Sequence, residues 1–82
     1  MLVLQQIKVL PAGAHFVITD EGKEQTEGFI SKSDGSIIFL SAYEADKYYK
    51  VYSNFRVAEL KAELGVIVNN EQTIDYKIEV RG

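Results

Sequence analysis

The chain has 82 residues, 46% hydrophobic and 26% charged, with a net charge of −3 and no cysteine. This is the composition and length of one globular domain spanning 1–82, not of a disordered chain. The missing thiols exclude disulfides, thiolate zinc sites, iron–sulfur clusters and cysteine nucleophiles, and the acidic balance argues against nucleic acid as a partner.

In chain order, residues 2–10 read as a strand with Val3, Ile7 and Val9 on one face. Ala12-Gly13-Ala14 has the form of a signal-peptidase site. No basic segment precedes it, however, and Gln5, Gln6 and Lys8 interrupt the apolar run, so no secretory leader is expected. No apolar stretch approaches the ~20 residues of a membrane span, and the expected location is cytoplasmic. His15 to Thr19 reads as a second strand, with Phe16 and Ile18 sharing a face. Asp20-Glu21-Gly22-Lys23 is a turn, and a third strand covers 25–32. Asp34-Gly35 is the strongest hairpin signal, and Ile37 to Leu40 follow as a buried fourth strand.

The pattern changes at Ser41. Ser41-Ala42-Tyr43-Glu44 matches the S-x-x-E capping box, and Ala42, Ala45, Tyr48 and Tyr49 recur at helical spacing. Ser53 or Asn54 then suits the cap of a second helix through Leu64, with Val57, Leu60 and Leu64 as its apolar stripe and Gly65 as its C-terminal stop. One helix over 42–64 and two helices broken near 50–53 both fit. The break is preferred, because Val51 would fall on the charged face of a continuous helix. After Val66-Ile67-Val68 and the Asn69-Asn70 turn, residues Thr73 to Val80 alternate without error. Ile74, Tyr76, Ile78 and Val80 share one face. The expected fold is α+β: an antiparallel sheet, a meander of about four strands plus a C-terminal strand, with one or two helices on one face.

Catalytic equipment is sparse. There is one histidine, His15, and the serines lie at turns, caps or strand ends, outside any G-x-S-x-G elbow. No phosphate-binding glycine motif occurs. Asp20, Glu21, Glu24 and Glu27 crowd one hairpin, but their spacing is not that of an EF-hand loop and Lys23 stands among them. No enzyme, cofactor or metal is therefore expected.

Two features point to binding. Asp20 to Asp34 holds five carboxylates and two lysines, and could present a negative patch built on Asp20, Glu21, Glu24 and Glu27. Residues 43–56 hold four of the five tyrosines with Lys47, Lys50 and Arg56 interleaved, a mixture common at interfaces. Tyr48 and Tyr49 are assigned to the core, which leaves Tyr43, Lys47 and Lys50 for contact. The same basic and aromatic residues would serve a nucleic-acid-binding accessory protein, a reading weakened by Glu44 and Asp46.

The order of a short meander, then Ser41-Ala42-Tyr43-Glu44-Ala45 with Lys47, then Ser53 leading to Leu64-Gly65, resembles small phage and prophage open reading frames of Gram-positive bacteria. That resemblance implies a phage-encoded protein that binds a host protein and modulates or inhibits a host enzyme or defence system, as anti-CRISPR proteins do. A third reading is a structural or assembly subunit, forming a homodimer through an edge strand at 2–10 or 73–80.

Overall fold

A computed structural model describes all 82 residues. The elements are helix α1 (Val3–Lys8), strands β1 (His15–Asp20), β2 (Lys23–Ile30) and β3 (Ile37–Phe39), helix α2 (Ala42–Lys50), a 3-10 turn at Tyr52–Asn54, and strands β4 (Arg56–Val68) and β5 (Glu71–Arg81). The strands form one five-stranded sheet in the order β3-β2-β1-β5-β4. The fold is α+β with two helices on one sheet face, as the sequence predicts. One pairing departs from the expected all-antiparallel arrangement. β5 inserts between β1 and β4 and runs parallel to β1, with Phe16 opposite Tyr76 and Ile18 opposite Ile78.

Two elements differ in kind from expectation. Residues 2–10 are helical, because Val3, Ile7 and Leu10 fall on one helix face and all three are buried, whereas Val9, placed in the core by the strand reading, is 67% exposed. The Gln5 side chain accepts the Leu2 N–H at 2.8 Å and closes the first turn. The second correction is larger. The predicted helix from Ser53 to Leu64 is strand β4, and Gly65 lies within that strand instead of ending a helix. Leu60, Ala62 and Leu64 alternate with Glu59, Lys61 and Glu63, a period of two that pairs residue by residue with β5. Asn69 and Asn70 supply the two positive φ angles (50° and 64°) of a tight hairpin turn. A helix here would have left the uniformly alternating β5 with an unpaired edge.

The predicted break after Lys50 is present, as the 3-10 turn. Ser41 caps α2 by accepting the Glu44 N–H at 3.2 Å, but the capping box is half made. The Glu44 carboxylate instead accepts the backbone N–H of Glu27 at 3.2 Å, covering the β2 edge below β3. Ser53 donates to the Tyr49 carbonyl and caps nothing. The fourth strand, expected to be buried, is an edge strand whose Ile38 is exposed, as is Leu40 beyond it.

The core lies between the helices and the sheet face carrying Phe16, Ile18, Ile78 and Val80, joined by Val3, Ile7, Leu10, Ile30 and Tyr48. Tyr48 is 2% exposed, but Tyr49, also expected in the core, is 60% exposed. Gly28 is dictated by packing: a Cβ there would stand 2.9 Å from the Phe16 ring and 2.9 Å from the Ile38 carbonyl. β1 accompanies β5 only over Asp75 to Glu79. Glu71–Ile74, with Leu64–Val68 opposite, therefore continue past the core as a two-stranded arm.

Candidate functional site: a projecting hairpin arm

The outer sheet face, away from the helices, is polar. His15 sits at its centre, Nδ1 3.0 Å from Asp75 Oδ1 and Nε2 2.8 Å from Glu27 Oε2. A ring protonated on both nitrogens donates to both carboxylates, and a neutral ring to only one. Phe29 covers the imidazole at 4.7 Å. Beyond this row Lys77 pairs with Glu63 at 3.2 Å and Lys61 with Glu59 at 3.3 Å. The Thr19 hydroxyl donates to Glu79 at 2.6 Å, which holds the Glu79 carboxyl below its ordinary value. Apart from Lys61–Glu59, which lie two apart on β4, these groups pair across strands on an open face. They tie β2, β1, β5 and β4 together as cross-strand ion pairs do, and no group of three or more histidine, aspartate or glutamate residues is arranged to hold a metal.

Gly65 permits the Asp75 contact. Any Cβ at Gly65 would come within 2.5 Å of Thr73 Oγ1 and 2.6 Å of Asp75 Oδ1. Gly65→Ala is expected to push the Asp75 carboxylate off His15 and to cost roughly 1–3 kcal/mol, the range for overpacking. The check is a shifted His15 ring signal in NMR together with a lower urea midpoint. An unchanged ring signal would refute the contact.

The sequence-predicted binding residues are partly brought together. Asp20 and Glu21 lie at the β1–β2 turn, where Glu21 (φ 53°) and Gly22 (φ 78°) give the tight hairpin geometry. Glu24, Glu27 and Lys47 line one dent of about 190 Å³ with Glu44 between them. The Tyr52 hydroxyl donates to Gln25 at 3.1 Å and fastens the turn after α2 to β2. Burial, then the nearby charge of Asp20, pushes the Tyr52 phenol up. Lys47 lies 4.9 Å over the exposed Tyr43 ring, and Lys50 pairs with Asp46 at 3.6 Å. Glu27 is engaged by His15 and is not a free member of an acidic patch. Arg56 stands apart, at the start of β4 opposite Arg81.

The residues that the sequence reading missed are on β4 and the arm it leads into. Leu60, Ala62 and Leu64 face the same side as Ile78, Tyr76 and Ile74, yet all three are exposed. Leu64 is 77% exposed, Val66 72% and Ile67 69%, with Leu60 and Val68 also exposed. The same strand is the sheet edge. Only its first residues are covered: Val3 donates to the Phe55 carbonyl at 2.9 Å, Val57 donates to the Met1 carbonyl at 2.8 Å, and Leu2 bridges to Arg56. From Ala58 onward no strand pairs with β4 on its outer side. The edges proposed from sequence are not available. Residues 2–10 are largely helix, and within 73–80 the stretch Asp75 to Glu79 lies inside the sheet between β1 and β4.

A long edge strand whose inner face is apolar and uncovered defines a β-sheet scaffold with a projecting hairpin. No protein-family model matches the chain, and no curated protein or solved structure is significantly similar to it. No helix is long and apolar enough to cross a membrane.

Proposed function

We propose that this chain is a non-enzymatic protein-binding module that engages its partner through the β4–β5 arm. The observation that carries the reading is the coincidence, on one strand, of an open hydrogen-bonding edge and the exposed apolar residues Leu60, Leu64, Val66 and Ile67. Exposed, flat, apolar edge strands are aggregation hazards that monomeric proteins avoid, and strand addition is the interaction that satisfies them. Main-chain groups supply the pairing, and the alternating side chains supply selectivity. The resemblance to phage reading frames adds a host protein as the expected partner and modulation of that protein as the expected role. In this reading the acidic β1–β2 turn and the Tyr43–Lys47 surface are peripheral contacts.

The test is capture of a stoichiometric partner from host lysate by the parent chain, Leu64→Asp and Glu24→Lys, each confirmed folded by circular dichroism. Leu64→Asp is expected to abolish capture and Glu24→Lys to reduce it by less than tenfold. Retained capture by Leu64→Asp would move the site away from the arm.

A further inference from the structure

We infer that in the chain without its host partner the occupant of the β4 edge is a second copy of this chain, paired antiparallel about a two-fold axis at Ala62; this inference rests on the arm being the binding surface. Antiparallel neighbours place directly opposite residues on the same face. A two-fold axis perpendicular to the sheet preserves faces, so residue numbers of paired positions must sum to an even value. With Ala62 on the axis, Leu60 meets the second copy's Leu64 on the apolar face, and Lys61 meets the second copy's Glu63 on the polar face. Symmetry makes each of these pairings twice.

The two registers next to it toward the start of β4 fail for stated reasons. Placing Lys61 on the axis sets it against its own copy and sets Glu59 against Glu63, a run of like charges that is destabilising. Placing Leu60 on the axis would pair Glu59 with Lys61 favourably, but it sets Leu64 against Arg56, whose edge Met1–Val3 already occupies, whereas the Ala62 ladder keeps its Leu60–Leu64 and Lys61–Glu63 pairs clear of that edge. The Leu60 register would also run through the irregularity between Val57 and Glu59, whereas Glu59 to Leu64 pair with β5 in unbroken register. The alternation Glu59-Lys61-Glu63 would be expected to discourage edge pairing with most strands. In the Ala62 register it is self-complementary. The two sheets would join into one of ten strands, with both helix layers on the same side and the two arms running in opposite directions, each Leu64 beside the other copy's Leu60.

The chain has no cysteine, so a single introduced thiol reports the register. Across the axis the two Ala62 Cα atoms would stand about 4.5–5.5 Å apart, inside the ~4.4–6.8 Å reach of a disulfide. Ala62→Cys is expected to crosslink under mild oxidation. Ala58→Cys is not, because its counterpart would be about 26 Å away along the strand. Charge exchange gives a second, independent readout. Lys61→Glu alone and Glu63→Lys alone each place only like charges across the axis, and each is expected to raise the dimer dissociation constant about tenfold or more. Mixed in equal amounts they form a fully complementary heterodimer, and light scattering should return twice the chain mass. No effect confined to one chain predicts rescue on mixing.

A parent chain that stays monomeric up to millimolar concentration overturns the second-copy inference. A dimer that Ala62→Cys does not crosslink, or a mixture that stays monomeric, does the same. The arm reading is decided separately by Leu64→Asp: loss of a heterologous partner from a monomeric parent would uphold the arm while removing the self-pairing.

Discussion

Phe16→Ala is expected to remove a large fraction of the chain's stability. The ring is fully buried on β1, at the centre of the sheet, with its centroid 6.1 Å from Phe39 and 6.4 Å from Tyr48. It also fills the space over Gly28, where no side chain exists to collapse into the gap. Truncating a buried phenylalanine costs roughly 3–5 kcal/mol, toward the upper end where neighbours cannot relax. A chain of 82 residues has about 4–12 kcal/mol of total stability at ~0.05–0.15 kcal/mol per residue. The loss is a large fraction of the whole. Urea unfolding followed by circular dichroism would show it as a collapse of the midpoint. A fall of less than 1 kcal/mol would mean that the sheet centre is not where the core lies.

The hairpins and β5 were legible because their signals are local. Asp34-Gly35, Gly22 and the alternation of Ile74, Tyr76, Ile78 and Val80 need no knowledge of distant residues, and each appears as read. The helix from Ala42 was legible for the same reason, through the Ser41 cap. The two misread segments are those whose apolar residues fit both periods. Val3 and Ile7 are four apart, so they share a face in a strand and in a helix alike. Leu10 separates the two readings, because it joins them only in a helix. Val57, Leu60 and Leu64 match a helical stripe, and Leu60, Ala62 and Leu64 match a strand; their partners on β5, Ile78, Tyr76 and Ile74, decide between the two. Local propensity is a weak prior when a well-patterned strand supplies a row of partners.

The site was illegible for a related reason. Leu60 and Leu64 fit the apolar stripe of a helix, so sequence alone hides their exposure on β4. The cue that was present is the two-residue turn Asn69-Asn70 set between two stretches of alternating residues, which argues for a hairpin before any helix is considered. The acidic and tyrosine-rich segments stood out because composition is visible along a chain. Whether such residues are already engaged is not. Glu27 is held by His15, Glu44 by the β2 edge, and Tyr48 by the core, and each of those partners is distant in sequence.

Stability is expected to fall steeply above pH 10, and Tyr48→Phe to flatten that fall. Burial pushes the Tyr48 phenol up to about 12 from its ordinary 10, with a further contribution from the neighbouring Tyr49. Tyr48 therefore stays protonated in the fold while it ionises in the unfolded chain. The unfolded state binds fewer protons over this interval, so stability decreases as pH rises. The contribution is fully present below pH 10 and is lost as pH climbs through about 12, at about 1.4 kcal/mol per pH unit once the unfolded tyrosine is ionised. The total for Tyr48 is roughly 2–3 kcal/mol. The Tyr52 phenol is pushed in the same direction and adds to the slope. Phenylalanine keeps the ring that packs 5.2 Å from Phe39 but has no proton to lose. Urea midpoints at pH 8, 10 and 11 would show the parent losing stability faster than Tyr48→Phe between the last two. Equal slopes would mean that the Tyr48 hydroxyl reaches solvent in the folded chain, and the closure of the core by α2 would then have to be redrawn.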